Sequence, residues 1–378
     1  MNRTSILLFC LLCLSCSLVW GAEEDLPQLL ATIRAVGPEA AGHETASAAW
    51  RRLAATDASR LPEILAGLDG AGPLAANWIA TAAQAIVQRQ QARQGPLPAA
   101  EIERFIADRK HGPSGRELAY EILLSLDPQV ESRLVPGMLD DPCLPLRYLA
   151  VARLIDLADE AVKNKDNEKA RKVLRQAFQF ARDSEQTSRV GQQLKGLGEE
   201  VDLPRKMGYI VRWKLIAPFD NTGRKGFDAV FPPEGEFKPD AVYEGKTKKV
   251  SWMDFASKDR LGRIDFYRPF GQQREVVAYA ATRFVAAKRQ EVELRLSSLN
   301  ATKVWLHGNL AGAHPIYHSG SQLDQYIDRV ALEPGDNLIL VKVCQNEQTQ
   351  DWAQSWGFQL RVCDLQGDPV LSADRDQP

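Results

Sequence analysis

Between residues 291 and 362 the chain repeats one pattern that only extended backbone can satisfy. Glu291-Val292-Glu293-Leu294-Arg295-Leu296 alternates polar and apolar side chains without a break. Strand side chains point alternately to opposite faces, so such a run lays one wet and one dry row along a strand. Lys303-Val304-Trp305-Leu306-His307-Gly308-Asn309 reads as a strand running into a tight turn, and Asn337 to Val343 and Trp356 to Val362 complete the set. Period-two runs separated by turn residues predict a half-buried antiparallel sheet. Upstream, Trp213 to Phe219 is a short strand, and Ala241-Val242-Tyr243 and Lys249-Val250-Ser251-Trp252 flank Gly245 as a hairpin. Arg274 to Ala287 is rich in β-formers. A count of about eight to ten strands in roughly 160 residues suits one β-sandwich.

The chain before residue 205 has a different period. Residues 26 to 160 predict stacked helical hairpins: Ala46 to Leu53, a second opening at Leu61-Pro62-Glu63, alanine-rich Ala75 to Arg89, then Ala99 to Asp108 and Gly115 to Leu126, with a polar linker over Gln88 to Pro98. Pro62 sits where a first turn tolerates proline. In Met138 to Val162, Leu146, Leu149, Ala150, Leu154, Leu157, Ala158 and Val162 fall on one helical face, while Arg147 falls elsewhere. Such a stripe cannot be buried alone and implies neighbours. Lys163 to Gly198 adds a further pair, with stripes Ala170, Val173, Leu174, Ala177, Phe178, Ala181 and Val190, Leu194, Leu197. Near Asp202-Leu203-Pro204 aromatics, Gly and Pro rise, marking a boundary.

The first residues predict export. Asn2 and Arg3 precede an uncharged run from Ile6 to Trp20, followed by Glu23-Glu24-Asp25, the shape of a secretory signal cleaved after Gly21 or Ala22. The run is short for a membrane span. An uncleaved anchor and a lipoprotein signal ending at Cys16 are the alternatives. The compartment would be periplasm, cell surface or medium. A net charge of −2 provides no basic field for nucleic acid. Beyond the signal, Cys143, Cys344 and Cys363 remain. If the strands of Cys344 and Cys363 pair as a hairpin around 345–355, the two lie towards opposite ends, beyond the roughly 7 Å limit for a bridge. Three unpaired thiols are therefore expected.

Taken together the segments resemble a known combination. Residues 138–162 resemble a HEAT repeat and 163–198 a tetratricopeptide-like helix pair. Residues 211–365 resemble the galactose-binding-like, carbohydrate-binding-module-type jelly rolls attached to HEAT-repeat proteins exported by planctomycete-type bacteria. The matching stretches are Arg212 to Asn221, Gly226-Phe227-Asp228, Lys303 to Gly308, Asp328-Arg329-Val330 and Trp356-Gly357-Phe358. The resemblance implies an α-solenoid followed by an antiparallel β-sandwich of jelly-roll type. It divides the chain into a signal (1–22), a HEAT-like helical domain (23–162), a tetratricopeptide-like pair and linker (163–204), the sandwich (205–366) and a disordered tail (367–378). Two positions depart from it. The turn usually carrying Asn-Gly is His307-Gly308, which His tolerates, and Ser298-Leu299-Asn300 stands where relatives show Ser-Asp-Asp.

Six residues are candidates for ligand binding: Trp305, His307, Tyr317, His318, Tyr326 and Trp352. If Val304 and Leu306 point into the core, Trp305 points out beside Lys303 and His307. There it could stack on a sugar or dock the helical domain, or pack under a loop, the reading that the usual burial of large aromatics favours. Tyr317, His318, Tyr326, Trp352 and Trp356 lie in or beside the loops of the last strands, a setting suited to a binding rim. Trp356 is in phase with Phe358, Leu360 and Val362 and reads as core, leaving Trp352 as the surface candidate.

His307, His314 and His318 are poorly spaced for zinc, since on a strand the last two lie about 13 Å apart. Asp220, Asn221, Asp228 and Asp240 share a long loop where oxygen ligands could hold a structural calcium, though turn chemistry accounts for them. No catalytic constellation, phosphate loop or cofactor motif is found. The sequence thus predicts a non-catalytic exported binding or scaffold protein, its helices for a protein partner and its sandwich for a glycan or cell-envelope component. A polysaccharide hydrolase, with two acids about 5 to 9 Å apart, and a purely structural module are the alternatives.

Overall fold

A computed structural model describes residues 25–320 and 322–375. The expected signal over 1–22, Cys16 included, lies outside the described residues. Among the described residues no helix is long and apolar enough to cross a membrane. The chain divides into two compact units, Met1–Arg133 and Leu134–Pro378.

The first unit is helical. α1 (Leu26–Arg34), α2 (His43–Ala55), α3 (Leu61–Ala66), α4 (Pro73–Ala92), α5 (Ala99–Ala107) and α6 (Pro113–Leu126) pack on their neighbours, and α7 (Gln129–Leu134) ends at the division. Prolines open α1, α3, α4 and α6, where the missing N–H has no helical partner to lose. Leu53, Leu61, Ile64, Ile79 and Ile86 are fully buried. Small Ala82 and Ala83 on α4 are also fully buried.

The second unit begins with helices and ends with sheets. α8 (Leu144–Lys163), α9 (Asn167–Phe180), α10 (Ser184–Gly196) and α11 (Leu203–Met207) follow one another. Asp166, Asp183 and Asp202 cap the last three by accepting from backbone N–H groups at 3.0, 2.8 and 2.8 Å. The α9 and α10 stripes are buried as expected, through Ala170, Leu174, Ala177, Val190 and Leu194. The α8 stripe is rotated from its expected place. Arg147, Val151, Ile155 and Ala161 are buried with Leu146, Ala150 and Ala158, whereas Leu157 and Val162 are exposed. The rotation buries Arg147, whose Nε donates to Asp141 O at 2.8 Å.

The strands are β1 (Arg212–Asp220), β2 (Val242–Glu244), β3 (Lys249–Ser251), β4 (Met253–Ala256), β5 (Ile264–Asp265) and β6 (Val276–Ala286). They continue as β7 (Gln290–Ser297), β8 (Ala301–Leu306), β9 (Asn309–His314), β10 (Tyr326–Leu332), β11 (Gly335–Gln345) and β12 (Gly357–Cys363). Six form a sheet in the order β4-β1-β6-β11-β8-β9 and four a second sheet, β10-β7-β12-β5. The hairpin β2-β3 stands apart. All named pairs are antiparallel. At the β8–β9 turn His307 and Gly308 take φ of 50° and 76°, the left-handed pair that a two-residue hairpin requires. Alternate residues of both sheets, among them Val292, Leu294, Leu296, Val304, Val341, Trp356, Phe358 and Leu360, make one core.

Three expectations need correction. The change from helix to strand falls between α11 and β1, as the composition predicted, but α8–α11 belong with the sheets. The expected helical domain over 23–162 is therefore divided. Tyr209 and its neighbours explain this. Ile210 N donates to Leu360 O, Val362 N to Gly208 O and Arg361 Nη1 to Met207 O, so β12 carries the end of α11. Residues 367–375 are not a disordered tail. Val370 N donates to Val362 O, Ala373 N to Val285 O and Arg375 Nη1 to Tyr209 O, and Asp368 pairs with Arg147 and Arg182. Finally, Cys344 and Cys363 do not share a hairpin: β11 and β12 lie in different sheets. No disulfide joins Cys143, Cys344 or Cys363, and all three are buried. Burial pushes Cys344 up to about 12 and Cys363 up to about 11, so neither is a thiolate near neutral pH.

Candidate ligand-binding surfaces of the β unit

At one end of the six-stranded sheet the termini of β1, β6, β8 and β11 converge, as the pairs Asp220↔Val276, Gln345↔Val276 and Cys344↔Ala301 show. Four amide side chains with no exposure lie beneath this end: Asn221, Asn300, Gln345 and Asn346. Asn221 Nδ2 donates to Gln345 O at 2.8 Å. Asn300 Nδ2 donates to Gln345 Oε1 at 2.9 Å and its Oδ1 accepts from Gly357 N at 3.1 Å. Gln345 Nε2 donates to Tyr267 Oη at 2.8 Å and Ala353 O at 3.2 Å. Buried amides held by several hydrogen bonds fix their surroundings. Here they pin the loop over residues 346–356 by its base. Asn300 serves as such a pin.

Above this floor sit three of the expected residues. The Trp352 indole is 60% exposed and meets the His318 imidazole edge-on, 5.0 Å between centroids at 88°. His318 takes a left-handed φ of 61°, and its Nε2 lies 3.1 Å from Asn346 Oδ1. Asn346 Oδ1 also accepts from Gln348 N, which makes it the acceptor and assigns the ring proton to Nε2. Tyr317 is half-buried, and its Oη accepts from Asn221 Nδ2 at 3.2 Å. Burial pushes the Tyr317 hydroxyl up to about 12, so it remains protonated. The Arg224 guanidinium lies 5.4 Å from the Tyr317 ring centroid and pairs with Glu347. The hydrogen bond from Arg224 holds the Glu347 carboxyl below its usual range.

The other three lie elsewhere. Tyr326, at the start of β10, stacks on His314 at 3.9 Å and 9°, and His314 Nε2 lies 3.1 Å from Asp328 Oδ2. That stack seals the seam between β9 and β10. His307 stands at the β8–β9 turn with Nε2 3.0 Å from Asn337 Oδ1. Trp305 does leave the core face as the alternation requires, yet it is only 7% exposed. The outward face of the six-stranded sheet carries a second apolar layer, Ile216, Phe219, Val277, Tyr279, Leu340 and Trp305, roofed by Phe227, Phe231 and Trp252 from the segment before β4. Trp305 packs under a loop, so no face is left for stacking on a sugar.

The metal-ligand readings do not converge either. His307, His314 and His318 bond to Asn337, Asp328 and Asn346 respectively. Asp220 accepts from Thr222 and pairs with Lys246, while Asp228 is exposed beside Lys303. No metal-ligating group of three acids, His or Cys is found among the described residues.

Two features were missed from sequence. One is a buried ion network under the roof: Lys342, with no exposure, donates to Glu234 Oε1 at 2.8 Å, Ala229 O at 2.7 Å and Phe227 O at 3.1 Å, and Tyr279 donates to the same Glu234 oxygen. Burial holds the Tyr279 hydroxyl far above its ordinary value. Its signal was a lysine inside the apolar run Leu338 to Val343. The other is an open groove of about 870 Å³ where the roof ends, floored by Ala281, Arg283 and Leu338 and walled by Phe237 and Pro239. His307 lines it.

No protein-family profile and no curated protein matches this chain. Among solved structures it is similar to a β-glucosidase from Kluyveromyces marxianus in complex with glucose, with 10% identity and a TM-score of 0.26 over 75% of this chain and 35% of that one. The selenomethionine form of a β-glucosidase from the same organism gives 9%, 0.27, 75% and 35%. The chain spans about a third of the length of these structures, and likeness at this level carries no argument about fold or activity.

Proposed function

We propose that this chain is a non-catalytic exported binding protein whose β unit holds a glycan or other cell-envelope component at the loop end bearing Trp352, His318 and Tyr317. The observation that carries the reading is Trp352. It is the one large aromatic of the loop end left mostly in solvent, and the loop bearing it is pinned from below by the amides of Asn300 and Gln345. An exposed indole costs little entropy on binding when its loop is already ordered. Flat aromatic faces beside hydrogen-bonding side chains suit the C–H faces and hydroxyls of a sugar. In this reading the antiparallel sheets form a galactose-binding-like jelly roll, and the helices of the first unit form a HEAT-like solenoid for a protein partner, as in exported planctomycete-type proteins. A glycan array of the full chain, repeated with Trp352→Ala, tests it. Binding abolished by the substitution is the expected result. Turnover of any glycan would move the chain to the hydrolase class, and binding untouched by Trp352→Ala would remove the site.

A further inference from the structure

We infer that Arg147, Arg182 and Lys206 bind a small oxyanion of the phosphate or sulfate class, at the point in the second unit where α8, α9, α11 and the C-terminal segment meet. The site shares no residue with the loop end. Two shared oxygens bring the cations together. Gln179 O, in the last turn of α9, accepts from Lys206 Nζ at 2.7 Å and from Arg182 Nη1 at 3.0 Å. Asp368 Oδ1 accepts from Arg182 Nε and lies 3.4 Å from Arg147 Nη1. Lys206 Nζ also lies 5.7 Å from the centre of the Phe178 ring. Three cations thus crowd around one carboxylate.

Like charges so placed need a counter-charge, and the chain supplies too little of it. Asp368 is the only carboxylate paired with any of the three among the described residues. The neighbouring acids are committed elsewhere. Asp183 and Asp202 cap α10 and α11, and Asp364 accepts from the backbone N–H groups of Gln366 and Asp368. The carbonyl end of α9 adds about half a negative charge. More than one positive charge remains in excess, and burial makes the excess costly, since the Arg147 and Arg182 side chains are only 9% and 20% exposed. Lys206 registers it: burial first, then Arg182 and Arg147, hold the amine down to about 7, against the opposite pull of Asp368. Capping of α9 accounts for one of these cations and leaves the other two.

The donors for an anion are in place. A guanidinium carries five N–H groups and an ammonium three. Among the described residues Arg147 Nη2 and Arg182 Nη2 have no partner, and Lys206 Nζ has only Gln179 O. Neither Nη2 is sealed from solvent. The Asp368 side chain, 37% exposed, marks the mouth. Guanidinium forks match the paired oxygens of a tetrahedral oxyanion. A dianion of that shape offers an oxygen to each of the three cations, which a carboxylate or a halide does not.

The test is calorimetric titration of the full chain with sulfate, inorganic phosphate and O-phosphoserine at pH 6 in a zwitterionic buffer, with acetate and chloride as references at matched ionic strength. Sulfate and phosphate are expected to bind saturably where acetate and chloride do not. Lys206→Met and Arg182→Gln should each weaken sulfate binding by about tenfold, the worth of one charge-assisted hydrogen bond. Asp368→Asn removes the competing carboxylate and should tighten binding by a similar factor, a gain that no misfolded variant would show. Lys195→Ala, an exposed position on α10, should leave it unchanged. Sulfate does not titrate near neutral pH. Its affinity for the parent chain should therefore fall as pH rises from 6 through about 7, where Lys206 loses its proton, and stay flat in Lys206→Met. Binding of phosphoserine beside phosphate assigns the site to phosphomonoesters, and its exclusion assigns the site to free ions. The inference is overturned if no saturable binding appears below about 10 mM, if Lys206→Met and Arg182→Gln bind sulfate as the parent does, or if Asp368→Asn binds it no more tightly.

Discussion

Each sheet buries charge on the face turned away from the shared core, and the two do it differently. On the six-stranded sheet a single lysine, Lys342, is enclosed by a roof it helps to hold, with one carboxylate and two backbone carbonyls as its shell. On the four-stranded sheet Arg361 and Arg295 both bond Asp324, Arg295 also reaches Glu293 at 2.7 Å, and exposed Arg329 lies 3.3 Å from Glu293 at the rim. Burial works against the charge of Arg361, but its hydrogen bonds to Asp324 outweigh it, and the same bonds hold the Asp324 carboxyl below its usual range. The lesson lies in redundancy. A point charge in a shell of three acceptors fails when any part is removed, whereas a fork shared among two arginines and two acids can lose a member and keep pairing.

That contrast sets the largest expected effect. Lys342→Met keeps the aliphatic stem and removes the charge, leaving Glu234 covered with only the Tyr279 hydroxyl and, at 3.4 Å, the Phe231 N–H as partners. The expected cost is about 3–5 kcal/mol, read as a lower urea midpoint for the transition that exposes Trp305 and Trp356. Adding Glu234→Gln should recover much of it, because no charge is then left buried. A single-variant cost below about 1 kcal/mol would show that the roof does not depend on the pair. Arg361→Ala should cost less, about 2–3 kcal/mol, since Arg295 still faces Asp324. If Arg361→Ala proves the worse of the two by the same measurement, the redundancy argument fails.

The same contrast shows how far the sequence could be read. Alternation assigned faces correctly: Val304 and Leu306 point in and Trp305 points out. It could not say what covers a face, because the cover is the Gly- and Pro-punctuated stretch from Asp220 to Asp240, whose turn chemistry is local and whose docking on Phe219 and Tyr279 is not. Hence the burial of Trp305 under a loop could be expected only from the general habit of large aromatics, and the groove where the roof ends went unseen. Lys342, Arg295 and Arg361 followed the polar phase, and polar phase implied water only while no roof was known. Trp352 was legible as a surface residue because it breaks the phase that Trp356 keeps. Arg147 was misplaced because a twenty-residue helix drifts around its axis, and the face it buries is chosen by neighbours.

A third covered cation sharpens the comparison, because its shell is deficient. Lys206 is held down to about 7 from 10.5, first by burial, then by Arg182 and Arg147, with Asp368 acting in the opposite sense. The folded value is below the unfolded one. The lysine therefore penalises folding fully below about pH 7, where both states are charged, and the penalty fades as pH rises towards 10.5. Lys206→Met loses the bond of Lys206 Nζ to Gln179 O, 2.7 Å, yet should still stabilise by about 1–2 kcal/mol at pH 6. Urea midpoints of variant and parent should converge between pH 7 and 10. A gap that stays constant over that range would show that Lys206 is not destabilised by its neighbours.

Trp352 is the opposite case to all three, an aromatic that nothing covers. Removing it takes away no core contact and breaks no ion pair, while the amides that pin its loop belong to Asn300 and Gln345. Trp352→Ala should therefore change the urea midpoint by less than about 0.5 kcal/mol, the ordinary range for an exposed position, although truncation of a buried tryptophan such as Trp356 costs about 3–5 kcal/mol. The pair of substitutions separates a residue kept for packing from one kept for contact with something outside the chain. A large loss of stability in Trp352→Ala would mean that the indole braces His318 and its loop, and the reason for reading it as a binding platform would go with it.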